Sequence, residues 1–521
     1  MNEKNHHRCR PSLLLAGATA LREAASRSAR AAVGLLLCAA ALLPVACRDD
    51  LDTSPSAQPT PSADTLRLGT LLAGNPSQTY QLKLYNRHEG EIRLSSVTLR
   101  EAATSGFRLN VDGMNGSSFT NADLLRIAPG DSLFLFVEAT FPEAGEGLTE
   151  HRDYIDILCN GRQQTVVLEA FSKDVRKLRG CVVAADTVWE RGSEVQVYDS
   201  LVVAEGVTLT LEDSVTLYLH DKADVILHGR LVCRGRCGAP VTLRGDRTDN
   251  MFDNLAYDGL PAQWGTLYVD STSCGNVWEW TDVRGMTDGI RLLPCPVDTA
   301  LTADEDQRLV LRSCRVRNSR GPLVHATAAQ VRIENCELMN AGGPLLGLYG
   351  GAYEVTHTTL ANYSYGAAIA SPAVILSNMD TLVNAYCPLY RATFRNCIVW
   401  GRSYHPTPAQ PNHNDVLPVF YRLTDPDGVP YDSVFHYTFD HCLLSANGTD
   451  DDDFIATLWN EDPLYRLIDE ANYTYDLRLQ PESPAAAAGA AAGAALCPTD
   501  LDGRPRPAEA PSLGCYQLAD E

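Results

Sequence analysis

The chain has 521 residues, too many for one ordinary compact core, so two or more units or a repeat array are expected. Hydrophobic residues make up 45% of it and charged residues 21%, the balance of a globular rather than a disordered chain. A formal charge of −22 argues against nucleic acid or an anionic lipid surface as a partner.

Residues 1–46 begin with scattered basic side chains (Arg8, Arg10, Arg22, Arg27, Arg30) and end in the uncharged run "AAVGLLLCAAALLPVA", Ala31–Ala46. That run is short for a membrane span and has the length of a signal-peptide core, so the chain reads as exported. Removing residues 1–46, with six basic and two acidic side chains, moves the charge from −22 to −26. Such a charge is compatible with neutral glycans or cations. The run closes as "LPVAC", with small Ala46 before Cys47, and this resembles the lipobox of bacterial lipoproteins. It departs from that pattern in carrying Pro44 where Leu is usual, with Leu43 one place further back. "CRDDLD" resembles the acidic flag that follows the cysteine in surface-exported lipoproteins of Bacteroidetes. The resemblance implies lipidation at Cys47, a membrane attachment through acyl chains alone, and an outer-membrane, cell-surface location. Acyl chains contribute ~0.8 kcal/mol per buried methylene, enough to anchor without a spanning helix. The cysteines after Cys47 are not spaced like the disulfide framework of a small secreted domain.

Residues 48–63, "RDDLDTSPSAQPTPSA", offer almost nothing to bury and read as a flexible tether. From 64 to 174 short strands alternate with turn signals. "TYQLKLYN" places Tyr80, Leu82 and Leu84 on one face, Pro129–Asp131 form a turn, and Asn160-Gly161 closes a hairpin. Six or seven strands in this length predict a β-sandwich. Their order resembles the immunoglobulin-like domains that precede surface modules in exported bacterial proteins, which implies a spacer.

From Cys181 a different pattern begins. "LVLRSCRVRN" (Leu309–Asn318), "VRIENCELMN" (Val331–Asn340) and "YEVTHTTLAN" (Tyr353–Asn362) follow at a fixed period of 22. They align Cys314, Cys336 and Thr358, and also Asn318, Asn340 and Asn362. Diverged copies follow at Ala392–Gly401 and Tyr437–Asn447. Short alternating segments at this period mean one turn of a stacked coil per repeat. The fold class is all-β, an N-terminal sandwich followed by a right-handed parallel β-helix over 181–480. Stacking then makes Cys314, Cys336, Cys397 and Cys442 a buried thiol column and sets Asn318 over Asn340 at a bend. No metal ligand spacing of the C-x-x-C kind occurs there.

The end of the chain, "YDLRLQPESPAAAAGAAAGAALCPTDLDGRPRPAEAPSLGCYQ", resembles the closing segment of many bacterial β-helix proteins, assigned here to 481–521. The Ala-rich insert reads as a loop. Gly514-Cys515-Tyr516 carries Cys where that pattern has Ala, with Cys497 a candidate to bridge it. The whole mature chain is similar to exported β-helix lipoproteins of Bacteroidetes, a group without an assigned activity.

The pectin-lyase-like fold also hosts enzymes, so convergent carboxylates matter. "MTDGIRL" keeps only Thr287 and Asp288 of the polygalacturonase-like Asn-Thr-Asp motif, with Met286 for Asn. Asp246, Asp249, Asp253 and Asp258, interleaved with Arg244 and Arg247, are the candidates for a lyase site or, more simply, for a tied-down loop. His405, His413 and Asp415 offer donors within a Pro-rich loop. Tyr349, Tyr353, Tyr363, Tyr365, Trp400 and Tyr404 are the candidates for an exposed aromatic face that stacks on sugar. These residues lead to the expectation of no catalytic residue, metal or cofactor. The expected protein is a surface-anchored β-helix that binds polysaccharide or a surface protein; the alternative is a polysaccharide lyase or glycoside hydrolase.

Overall fold

The computed structural model describes residues 51–121, 123–145, 147–252, 255–363, 371–402, 414–422, 424 and 434–519. Two sheets close around one core at the N-terminal end. The first orders Thr60–Pro61, Tyr80–Tyr85, Ser132–Ala139, Phe107–Val111 and Met114–Gly116. The second orders Thr65–Leu72, Arg162–Lys173, Leu148–Cys159, Ile92–Leu99 and Ser118–Phe119. Period-two alternation fixes which face is buried: in Ser132–Ala139, Leu133, Leu135, Val137 and Ala139 point inward.

The expected tether over 48–63 needs correction from Leu51 onward. Ala57 is fully buried in the sandwich core, and Thr60–Pro61 pairs with Leu84 and Tyr85. Asn160 Nδ2 donates to the carbonyls of Asp52 (3.0 Å), Ser54 (3.0 Å) and Ala57 (2.9 Å). A segment poor in apolar side chains is thus held through its backbone, which composition alone does not reveal.

The rest of the chain winds into a 26-stranded, essentially all-parallel sheet, a parallel β-helix. Leu309–Arg312 pairs with Val331–Glu334, and that segment with Tyr353–Thr356, at the 22-residue period. An inward column runs Trp278, Leu311, Ile333, Val355, Phe394, Phe439, Phe454 through successive coils. Its last three rings stack, with centroids 4.5 Å and 5.3 Å apart and planes within about 10°.

Each coil bends at the residue before the thiol column. Ser313, Asn335, His357, Asn396 and His441 all take positive φ, between 46° and 58°. Polar side chains satisfy one another along this bend: Asn335 Nδ2 donates to Ser313 Oγ (2.9 Å), and Asn396 Nδ2 lies 2.9 Å from His357 Nε2. At a second bend Asn318 and Asn340 also take positive φ, and their neighbours' register sets one over the other. The axial hydrogen bonds there run from side chain to main chain, as in Asn362 Nδ2 to Ala341 O (3.0 Å).

Cys314, Cys336, Cys397 and Cys442 are buried, free thiols. The Cys314 amide points to Cys336 Sγ at 3.4 Å, and the Cys336 amide to Thr358 Oγ1 at 3.4 Å. Burial pushes the Cys336 and Cys397 thiols far up, so thiolate is scarce at neutral pH. Native alkylation followed by mass spectrometry is therefore expected to label exposed Cys237 and Cys274 while the column stays unmodified until denaturant is added. Rapid labelling of Cys336 in native protein would contradict the stacking.

Beyond Leu458–Trp459 the chain leaves the coil and folds back along its flank. A hairpin of Tyr465–Asp469 and Thr474–Leu479 leads to the helix Ala491–Leu496, which replaces the loop expected in the Ala-rich insert. Leu477, Leu479, Leu501, Leu513 and Tyr516 cover Met339, Ala361, Ile398 and Leu443 in a cluster separate from the coil interior. Cys515 N donates to Thr359 Oγ1 (3.0 Å), and the Arg506 guanidinium to Asn335 Oδ1 (2.8 Å). Cys497 and Cys515 are both free thiols, so the bridge suggested for them is not formed.

Candidate functional site

The carboxylates singled out in the sequence around Asp246 serve structure. The Arg244-Gly245-Asp246 stretch leaves a coil strand and turns against the sandwich. Asp246 is buried, and its Oδ2 accepts from Asn75 Nδ2 (3.0 Å) and Gln196 Nε2 (2.8 Å) and lies 2.6 Å from His220 Nδ1. Asp249 accepts a two-pronged contact from Arg247 (2.8 and 2.7 Å) and the Gln78 amide (2.7 Å). Thr248 Oγ1 donates to Thr70 O (2.5 Å). This loop is the clamp between sandwich and β-helix, and the Asp246 and Asp249 carboxylates are both taken up by it. Asp253 lies outside the described residues.

Asp258, at the far end of the loop, points the other way. Its Oδ1 accepts from Arg284 Nε (2.8 Å) and forms an ion pair with Arg244 (3.0 Å) on the outer face of the coils. Arg284 and Arg317 both donate to Asp282 Oδ2, at 2.6 Å and 3.0 Å. Burial pushes the Asp282 carboxyl up, but Arg317 and Arg284 outweigh it and hold it below the usual carboxylate range. These side chains alternate outward along Thr281–Arg284 and Arg315–Ser319 because every second residue of a strand faces away from the coil.

Between this charged face and the folded-back hairpin lies an open cleft of about 340 Å³. Asp258, Arg317, Asn318, Glu337, Asn340, Tyr473 and Tyr475 contribute to its walls. Glu337 accepts from the Tyr516 hydroxyl (2.7 Å). Tyr475 stacks on Tyr363 with centroids 5.5 Å apart, and burial pushes its hydroxyl up to about 12. Arg317 Nε and the Tyr475 hydroxyl are buried and find no hydrogen-bond partner among the described residues. Rings, a guanidinium, side-chain amides and carboxylates around one open cleft suit a polyhydroxylated ligand, which needs flat apolar contact and many donors and acceptors.

Of the six aromatics expected on one exposed face, the four among the described residues are buried or half-buried. Tyr353 is buried, because its register partner is inward-facing Val331, and its hydroxyl donates to Ala326 O (3.1 Å). Tyr363 is buried beneath Tyr475. Trp400 is half-buried against the folded-back segment, and Tyr349 is half-buried beside His325, ring centroids 4.7 Å apart. Tyr365 and Tyr404 lie outside the described residues, as do His405 and His413, while Asp415 is buried. The Asp288 carboxylate accepts from Arg291 Nε (2.6 Å), and Thr287 Oγ1 donates to Trp264 O (2.6 Å), so that partial motif braces its own coil. Cys47 also lies outside the described residues. Among the described residues no three of His, Cys, Asp or Glu are placed to hold a metal ion. Sequence reasoning missed Tyr473 and Tyr475; Tyr475 stands on the hairpin strand Thr474–Leu479, whereas Tyr473 sits in the turn before it at positive φ, where no alternation announces its direction.

No protein-family model and no curated protein matches the sequence. Partial likenesses exist among solved structures. A protein of unknown function from Porphyromonas gingivalis W83 is 17% identical, with a TM-score of 0.16 over 25% of this chain and 50% of that one. The PapD-like domain 7 of human CEP192 is 10% identical, with a TM-score of 0.17 over 23% of this chain and 88% of that one. A family 123 glycoside hydrolase from Clostridium perfringens is 9% identical, with a TM-score of 0.16 over 25% of this chain and 26% of that one. The chain thus spans half the length of the Porphyromonas protein and less of the hydrolase. Scores this low carry no argument about activity.

Proposed function

We propose that the protein is an exported lipoprotein, anchored at the outer membrane by acyl chains on Cys47, whose β-helix binds polysaccharide in the flank cleft without turning it over. This reading extends its resemblance to right-handed β-helix lipoproteins of Bacteroidetes that carry an immunoglobulin-like domain. The observation that carries the binding role is the cleft itself, whose walls bring the Tyr473 and Tyr475 rings together with Arg317 and the side-chain amides of Asn318 and Asn340. Against turnover stands the locking of Asp246, Asp249, Asp258 and Asp288 by guanidinium or amide donors. A free general acid or base needs a carboxyl that can exchange its proton with substrate. One observation favours the rival reading of a lyase or hydrolase: Asp258 and Glu337 line the same cleft.

The test is retention of the purified ectodomain on immobilised polysaccharides, followed by the same assay on Tyr475→Ala and Arg317→Ala. A hydrogen bond to a charged group contributes roughly 1.5–3 kcal/mol, so Arg317→Ala should weaken binding by about 10- to 100-fold. Unchanged retention in both variants would remove the cleft from the account and leave a protein partner elsewhere on the rod.

A further inference from the structure

We infer that the N-terminal sandwich carries a second sugar-binding site, on the outer face of its first sheet, and that this site takes a neutral polysaccharide. It is separate from the flank cleft and does not depend on it. The strand Ser132–Ala139, "SLFLFVEA", is apolar at every position but Ser132 and Glu138. Strand alternation turns Leu133, Leu135 and Val137 into the core. It therefore turns Phe134 and Phe136 outward, where both are half-buried and stand outside the sandwich core. Their rings lie nearly parallel, with centroids 6.4 Å apart and planes within 13°. Two large rings left beside water forgo the burial that their inward neighbours gain, and a ligand that covers them restores it.

Cross-strand register surrounds the rings with polar groups, because residues directly opposite one another share a face. Gln81 and Asn110 flank Phe136, Asn115 lies beyond Asn110, and Lys83 lies opposite Phe134. A cleft of about 420 Å³ opens beside Phe136, walled by Thr79, Arg108, Asn110, Asn115 and Glu138. Its walls are tied together. Asn110 Nδ2 donates to Asn115 Oδ1 (2.9 Å), Thr79 Oγ1 to Glu138 Oε1 (2.5 Å), and Arg108 Nη1 to Thr140 Oγ1 (3.0 Å). Exposed Gln81 and Asn115 present side-chain amides to solvent, each with donors and an acceptor. The charges on this face are engaged: the Lys83 ammonium lies over the Phe134 ring, 5.1 Å from its centroid, and Arg108 pairs with Glu138 (3.4 Å). A stable protein interface needs a wider apolar core than two rings edged by amides. An anionic chain would meet the overall charge of −22. A neutral pyranose chain, apolar on its ring faces and hydroxylated at its rim, matches both the rings and the amides.

The experiment is photolabelling of the purified ectodomain with diazirine-bearing oligomers of glucose, mannose and galactose, mapped by peptide mass spectrometry. At least one of them is expected to label peptides within 79–85, 108–115 or 132–140. That labelling should persist in Tyr475→Ala. It should fall by about tenfold or more in the double variant Phe134→Thr/Phe136→Thr, which keeps strand propensity while removing both rings. Asn115→Ala, at an exposed position outside the core, should lower it as well. Retention on an immobilised polymer draws on both sites, since a chain held at one meets the other at high effective concentration, whereas labelling reads each site alone. Labelling confined to the flank cleft, unchanged labelling in Phe134→Thr/Phe136→Thr, or no labelling by any of the oligomers would overturn the sandwich site. Labelling of the sandwich face with none around Tyr475 would instead sink the flank cleft and leave this site standing.

Discussion

Phe439→Ala is expected to lower the stability of the C-terminal coils by about 3–5 kcal/mol. Phe439 is fully buried and sandwiched between Phe394 and Phe454, so truncation removes two ring contacts and leaves a void the coil backbone cannot close. In a stacked array each coil is held mainly by its neighbours, so the loss should stay local. Hydrogen exchange read by mass spectrometry should show protection falling around Thr393–Arg395, Thr438–Asp440 and Phe454–Ile455, with the sandwich unchanged. Phe439→Leu, which refills most of the volume, should lose much less. Equal loss across the whole chain would mean that the protein unfolds as one unit.

Asp246→Ala should uncouple sandwich from β-helix. Asn75, Gln196 and His220 converge on its carboxylate, and the variant takes the acceptor from the buried Asn75 and Gln196 amides, while half-exposed His220 turns to water. Each unsatisfied buried group costs about 1–3 kcal/mol, so a total near 3–5 kcal/mol is expected. Limited trypsin digestion should then cut near Arg176, where the chain passes between the two units, and release a sandwich-sized fragment. Asp246→Asn keeps one acceptor oxygen and should resist longer. Wild-type resistance in Asp246→Ala would show that the remaining contacts, Lys173–Glu194, Lys177–Glu143, Gln78–Asp249 and Thr248–Thr70, hold the junction without it.

The repeating core was legible in the residues because a β-helix writes its geometry into spacing. Leu309, Val331 and Tyr353 stand 22 apart and pair in register, and small Cys and Thr recur where the chain bends inward. Where insertions stretch the step from Thr359 to Ile398 and on to Leu443, the Cys column still marked the coils. The surface was harder to read. Strand alternation tells which residues share a face, but a glycine pair at positive φ resets it, as Gly350-Gly351 does between half-exposed Tyr349 and buried Tyr353. Outward Ile398 and Leu443 are apolar because the last fifty-odd residues return to cover them. That is a long-range contact no local pattern announces. Asp246 and Asp258 look alike in sequence, yet their opposite orientations divide the loop between a buried clamp and a cleft wall.

The central claim is binding in the flank cleft without chemistry. A panel of polysaccharides, neutral and uronate-bearing, is read twice on the purified ectodomain, once for retention and once for new reducing ends or unsaturated products. The account predicts retention of at least one polysaccharide, lost in Tyr475→Ala and Arg317→Ala, with no product formed. Product formation by the wild type that is abolished by Asp258→Asn or Glu337→Gln would contradict it and establish an enzyme.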